Sequence, residues 1–225
     1  MGTSSDRHQR TGALAHAQSV RPAAEKKSLT ALEQSRPETE RAGRRFHTKR
    51  SRIPPRNLVF VEESGARTDR TRRYGRAPKG ERVPEAVPHG HWKVLTILGA
   101  LSTKGIQASM TVAAATDAEV FSTFVQHVLA PTLRPGQIVV MDNLSAHKQR
   151  PVRRLLAARR CHLWYLPPDS PDFNPREFAW SKRKTFLRGA KARLGPALEQ
   201  AIGEGLRTIT AQEARNWFRH CRSAL

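Results

Sequence analysis

The chain has 225 residues, enough for one sizeable domain with an appendage, and carries 40 Lys and Arg against 19 Asp and Glu, a formal net charge of +21 at pH 7. That excess goes beyond what solubility requires and implies a polyanionic partner, nucleic acid above all. No apolar run approaches the roughly 18 residues that span a bilayer, and the two widely spaced cysteines, Cys161 and Cys221, suggest neither a disulfide framework nor a zinc site, so an intracellular, cytoplasmic protein is expected.

In the segment 1–56 basic side chains outnumber acidic ones by more than two to one, and there is little aliphatic periodicity. Residues 1–24 are expected to be a disordered tail and residues 25–56 a basic, partly helical linker, with one polar helix over about 28–47 that has Arg36-Pro37 near its start or in a break. The folded part is expected over 57–225. It opens with a strand at 57–62 (Asn-Leu-Val-Phe-Val-Glu) that delivers Glu62 and Glu63. A basic stretch follows, in which Arg67, Arg70, Arg72, Arg73, Arg76, Lys79 and Arg82 face only two acids. His89 and His91 have the spacing of a metal pair, but the strand entry at Trp92 favours a loop role. Strands are expected at 93–101 and 106–113 and a helix at 117–130. Gln137 to Met141 is a short apolar run bounded by Pro135-Gly136 and Asn143, so it reads as a buried strand with Asp142 at its carboxyl end. In open α/β sheets ligands bind at that end, although an Asp-Asn pair also suits a plain turn.

A helix at 145–158 comes next. It opens a second basic stretch, with Lys148, Arg150, Arg153 and Arg154 and no acid through Arg160. His147 at its start is read as a capping or packing residue, with a contact to metal-bound water or DNA as the other option. Residues 162–166 repeat the buried-strand pattern, and Pro167, Pro168, Pro171 and Pro175 then hold an extended loop until a helix can begin near Pro175. Glu177 falls in the first turn of that helix, where the dipole favours a carboxylate on its own account. Trp180, three residues on, reads as core. The last helix is marked by a Thr210/Glu213 capping box, with Ala214, Trp217, Phe218 and Cys221 on one face. Two antiparallel strands beside parallel strands with interleaved helices make a mixed α/β sheet.

These residues resemble the catalytic half of a bacterial insertion-sequence transposase of the mariner-related DDE superfamily. The resemblance rests on Asp142-Asn143 at a strand end, on the loop Leu166-Pro167-Pro168-Asp169-Ser170-Pro171-Asp172-Phe173-Asn174-Pro175-Arg176-Glu177 with Trp180 after it, and on the stretch 143–176 that separates Asp142 from Glu177 by the family's characteristic spacing. Upstream, Arg76-Ala77-Pro78-Lys79-Gly80-Glu81-Arg82 and Pro88-His89-Gly90-His91-Trp92-Lys93 also match. Glu62 occupies the place where the family carries its first aspartate. The resemblance implies an RNase H-like fold, a cluster of Glu62, Asp142 and Glu177 that serves as catalytic residues and as ligands of Mg2+ or Mn2+, and double-stranded DNA as partner. It further implies cleavage and strand transfer at element ends, a homodimer in the working complex, a nucleoid-associated location and, because the segment before Asn57 lacks two short amphipathic helices, a helix-turn-helix module that is either a separately encoded subunit or lost by the element. Within the same resemblance, Glu62 in place of aspartate supports an alternative: a degenerate relative that binds DNA without cutting it.

Overall fold

The computed structural model describes residues 36–71, 75–86, 93–168 and 170–222. The expected tail at 1–24, most of the linker before Arg36, and Arg72, Arg73, His89 and His91 lie outside the described residues. Five strands form one mixed sheet in the order β3-β2-β1-β4-β5. They are β1 (Leu58–Arg67), β2 (Val94–Ser102), β3 (Gly105–Val112), β4 (Ile138–Met141) and β5 (His162–Tyr165). The pairs β1/β2 and β2/β3 are antiparallel, whereas β1/β4 and β4/β5 are parallel.

The apolar runs sit in the middle of the sheet because helices cover both of its faces. Along β1, Leu58 and Phe60 enter one core and Val59 and Val61 the other. The first core is closed by α1 (Pro37–Ser51), α4 (Arg176–Ala190), α5 (Gly195–Arg207) and α6 (Ala211–Arg222), and the second by α2 (Ala118–Thr123) and α3 (Arg150–Ala158). Asp117 caps α2 by accepting from the backbone N–H of Glu119 (3.0 Å) and Val120 (2.8 Å). The expected capping box of α6 is present: Thr210 N–H donates to Glu213 Oε2 (3.0 Å) and Glu213 N–H to Thr210 Oγ1 (3.2 Å). Cys161 and Cys221 are buried free thiols.

Three boundaries differ from the sequence expectation. First, β1 does not end at Glu62 but runs to Arg67, because β2 keeps pairing with it antiparallel from Glu62↔Gly99 to Arg67↔Val94 after β4 has stopped at Met141. Second, the helix expected at 117–130 divides into α2, a π turn over Phe124–Leu129 and a 3-10 turn over Ala130–Thr132 that contains Pro131. Third, the helix expected at 145–158 is a 3-10 turn (Ser145–Lys148), an extended Gln149 and then α3. Pro151 in the first turn of α3 has no N–H for the carbonyl of His147, and the Tyr165 hydroxyl donates to it instead (3.2 Å).

α1 is docked onto the domain. Phe46 packs edge-on against Trp164 (6.3 Å between ring centroids) and at a tilt against Phe173 (6.0 Å), while buried Arg50 donates through Nη1 to the carbonyl of Phe173 (2.8 Å). The proline-rich loop is thereby held down at Phe173, just before Glu177. On the other side of that loop α4 crosses the sheet over Gly99, where an added Cβ would come within 2.5 Å of Trp180 Cη2. Trp180 is core, as its sequence position suggested. Gly99→Val is accordingly expected to lower stability by about 1–3 kcal/mol through overpacking, read as a drop in the urea midpoint; an unchanged midpoint would show that α4 does not rest on that strand.

Candidate active site

The register Phe60↔Val140 between β1 and β4 brings Glu62 and Asp142, each two positions further on, level with one another at the carboxyl end of the parallel strands. Glu177 arrives from the first turn of α4, which follows Pro175 and whose first backbone N–H, that of Arg176, donates to Asn174 Oδ1 (3.1 Å). All three carboxylates line one open cleft of about 420 Å³, together with Asn143, Pro167 and Arg176. A hollow of similar size lies at the opposite end of the same strands, beside Arg56, Lys104, Arg134 and Gln137, and has no acid in its lining.

Two of the three acids already have a cationic or hydrogen-bonding partner. Asp142 Oδ1 meets Nδ1 of His147, which is fully buried and lies against the Phe121 ring (4.0 Å between centroids), and it also accepts from Leu144 N–H (3.4 Å). Partial burial pushes the Asp142 carboxyl up, but the His147 contact and the Leu144 N–H outweigh it, and the net direction is below the usual aspartate value. Glu62 Oε2 lies 3.4 Å from Nε of Arg176. Burial raises the Glu62 carboxyl above its ordinary value, Arg176 opposes that rise, and the nearby charges of Glu177 and Asp142 add to it. Both Glu62 Oε2 and Arg176 Nη1 are buried without a hydrogen-bond partner among the described residues. Further along α4, fully buried Arg183 donates through Nη2 to Ser64 Oγ (2.7 Å), and burial beside Arg70 lowers its guanidinium to about 10.

No three acidic, His or Cys side chains among the described residues form a ready-made metal cage. The donor set nevertheless suits a hard divalent cation. It consists of carboxylate oxygens, and one of them, Glu62 Oε2, is buried with no hydrogen-bond partner among the described residues.

The basic residues singled out from the sequence are distributed as follows. Arg67 forms a two-bond pair with Asp69, and Arg70 donates to the Gly65 carbonyl (3.3 Å). Arg76, Lys79 and Arg82 are exposed on the loop after β1, while Lys148, Arg150, Arg153 and Arg154 are exposed on or beside α3, on the sheet face opposite α4. Sequence reasoning missed Arg176 as a site residue. Its signal was available: a cation beside the positive end of a helix is unfavourable unless an acid holds it there. The close tie between His147 and Asp142 had no local signal, since Phe121 and Tyr165, which hold His147, come from distant elements.

A family model described as DDE superfamily endonuclease matches residues 57–198. No curated protein sequence matches the chain. Among solved structures the chain is similar to a Mos1 transposase paired-end complex with left transposon end (TM-score 0.69, 13% identity, covering 90% of this chain and 63% of that one). It is likewise similar to the Mos1 strand transfer complex (0.70, 13%, 92% and 64%) and to the catalytic domain of Mos1 mariner transposase (0.60, 12%, 83% and 88%). At such identities the likeness is one of fold, and the mixed five-stranded sheet with flanking helices is the RNase H-like fold of those catalytic domains. The chain spans a little under two thirds of the transposase chains in the DNA complexes. No helix among the described residues is long and apolar enough to cross a membrane.

Proposed function

The chain belongs to the DDE superfamily endonucleases, and from that premise we propose that it is the catalytic part of a transposase that cuts and joins strands of duplex DNA. One observation carries the reading: Glu62, Asp142 and Glu177 line a single cleft at the carboxyl edge of a sheet whose protein carries a net charge of +21. Phosphodiester cleavage by divalent metals asks for acidic ligands and little else from the protein, and these three carboxylates would hold Mg2+ or Mn2+. A metal held there would supply charge stabilisation for an in-line displacement at phosphorus.

The chain's own residues do the positioning. His147 fixes the rotamer of Asp142 from below, Asn174 sets the first turn of α4 so that Glu177 faces the cleft, and Phe46 and Arg50 on α1 anchor the loop between them. Arg76, Lys79, Arg82, Lys148, Arg150, Arg153 and Arg154, with Arg67, Arg70, Arg72 and Arg73, are assigned to phosphates of the duplex, which orient DNA without reading its sequence. Mos1 is described in complexes with transposon-end DNA and with Mg and Mn; by that analogy the partner here is the DNA of element ends, and the sequence resemblance adds target DNA, a homodimer as the working form and a bacterial insertion sequence at the nucleoid as the setting. A second reading, a relative that binds DNA without cutting it, is favoured by Glu62 in the first-ligand position and by its engagement with Arg176.

Incubation with supercoiled plasmid carrying the element's ends tests the choice. Nicks that require Mg2+ or Mn2+ and vanish in EDTA support the transposase; selective binding of the element's ends with no metal-dependent nicks supports the second reading. DNA affinity is expected to fall linearly with salt on a log–log plot, and Arg150→Ala/Arg153→Ala/Arg154→Ala to reduce the slope by up to about 0.9 for each phosphate no longer neutralised. A slope unchanged by the triple substitution would remove α3 from the DNA interface.

A further inference from the structure

Arg176 fills the unspecified position of the Asn-Pro-x-Glu segment and is among the most deeply buried charged residues of the chain, at 2% exposure. A buried guanidinium is costly unless acids and acceptors surround it. Its Nε donates to Asn174 Oδ1 (2.9 Å) and lies 3.4 Å from Glu62 Oε2, while Nη1 has no partner among the described residues. Its location at the amino end of α4 works against the helix dipole, so the helix gives no reason for a cation there. The reason lies across the cleft. Glu62, Asp142 and Glu177 line the same cleft, and Arg176 is the cation buried beside them.

We propose that Arg176 is a resident counter-cation of this cluster, which holds Glu62 when no divalent ion is present and releases it when an ion enters. The proposal rests on the assignment of Glu62, Asp142 and Glu177 as the metal-binding cluster. An entering ion brings the same sign of charge to the same carboxylates, so it competes with Arg176 for Glu62, and Glu62 Oε2, which has no hydrogen-bond partner, is the atom that exchanges. The affinity of the site for divalent ions is therefore set by residue 176 as well as by the three acids, and the arginine keeps the carboxylates assembled without metal at the expense of metal affinity.

Mn2+ binding to the full chain, followed by electron paramagnetic resonance of the free ion, separates the possibilities. Arg176→Met is expected to bind Mn2+ at least about tenfold more tightly than the parent, because a like charge has been removed from a partly buried ion site. Arg176→Lys, which keeps the charge, should stay within about threefold. The Arg176→Met variant should also melt earlier without metal and show a larger Mn2+-induced rise in Tm than the parent. Should it not fold, Arg176→Gln, which can still donate to Asn174, carries the same expectation. A role limited to packing would not tighten ion binding. If Asp142→Asn abolishes Mn2+ binding but neither neutral variant tightens it, Arg176 is no competitor and this inference alone is overturned; if Asp142→Asn leaves binding unchanged, the ion does not occupy the cluster and the cluster assignment falls with it.

Discussion

Asp142→Ala is expected to abolish metal-dependent nicking, lowering the rate by more than about a thousandfold. Asp142 stands at the carboxyl end of the central parallel pair, level with Glu62 and in the same cleft as Glu177, and it is the acid whose carboxyl is held below its usual value, so it stays ionised across the working pH range. Stabilisation of transition-state charge by a bound metal is worth several kcal/mol, and each step of about 1.4 kcal/mol is tenfold in rate. Loss of Asp142 would remove one of the three acids assigned to hold the metal. The measurement is the initial rate of supercoil relaxation in Mg2+, with duplex affinity measured alongside. Affinity should hold, since the exposed arginines are untouched. Nicking retained within tenfold of the parent would show that Asp142 is a turn residue at a strand end and nothing more.

Glu62→Asp is expected to raise nicking by about ten- to a hundredfold. The extra methylene of glutamate carries its carboxylate deeper under α4, to where it lies 3.4 Å from Arg176, whereas Mg2+ demands near-ideal ligands at about 2.0–2.1 Å. A misplacement of about an ångström costs on the order of a hundredfold. Aspartate at the same strand position is shorter, withdraws from Arg176 and leaves its oxygens nearer the strand ends. Asp142→Ala should abolish nicking in this background too. A helix-turn-helix module supplied in trans is the necessary control, because poor end recognition would mask intact chemistry. If Glu62→Asp cuts no faster than the parent with that module present, glutamate is an adequate first ligand and the substitution is harmless.

The parts of the site that were legible in the sequence are those encoded by local signals. The β-branched run before Asp142 and the prolines before Glu177 each specify their own backbone, and the stretch 143–176 between the two acids accommodates one helix and one strand, so both acids could be assigned to the same sheet edge before any coordinates. Glu62 came from the resemblance and from the apolar run before it, although its strand continues past it to Arg67. What escaped was set by partners distant in sequence. β1 is longer than its apolar run because β2 pairs with residues that look like a loop, and Arg67 is in the sheet for that reason. α1 reads as a polar linker because a single aromatic, Phe46, makes its contact with Trp164 and Phe173. His147 is buried because Phe121 covers it, and Arg176 turns inward because Asn174 and Glu62 draw it there. Polar residues that point into a core at a helix start follow no period, and the hydrophobic pattern is blind to them.

Crystals of the full chain soaked in MnCl2 and measured at the manganese absorption edge test the shared metal cluster most directly. The account predicts an anomalous peak in the cleft within about 2.6 Å of carboxylate oxygens from both Asp142 and Glu177, with the Glu62 carboxylate turned away from Arg176 toward it. A peak at any other acidic site with this cleft empty, or an ion bound by Asp142 while Glu177 points elsewhere, would contradict it.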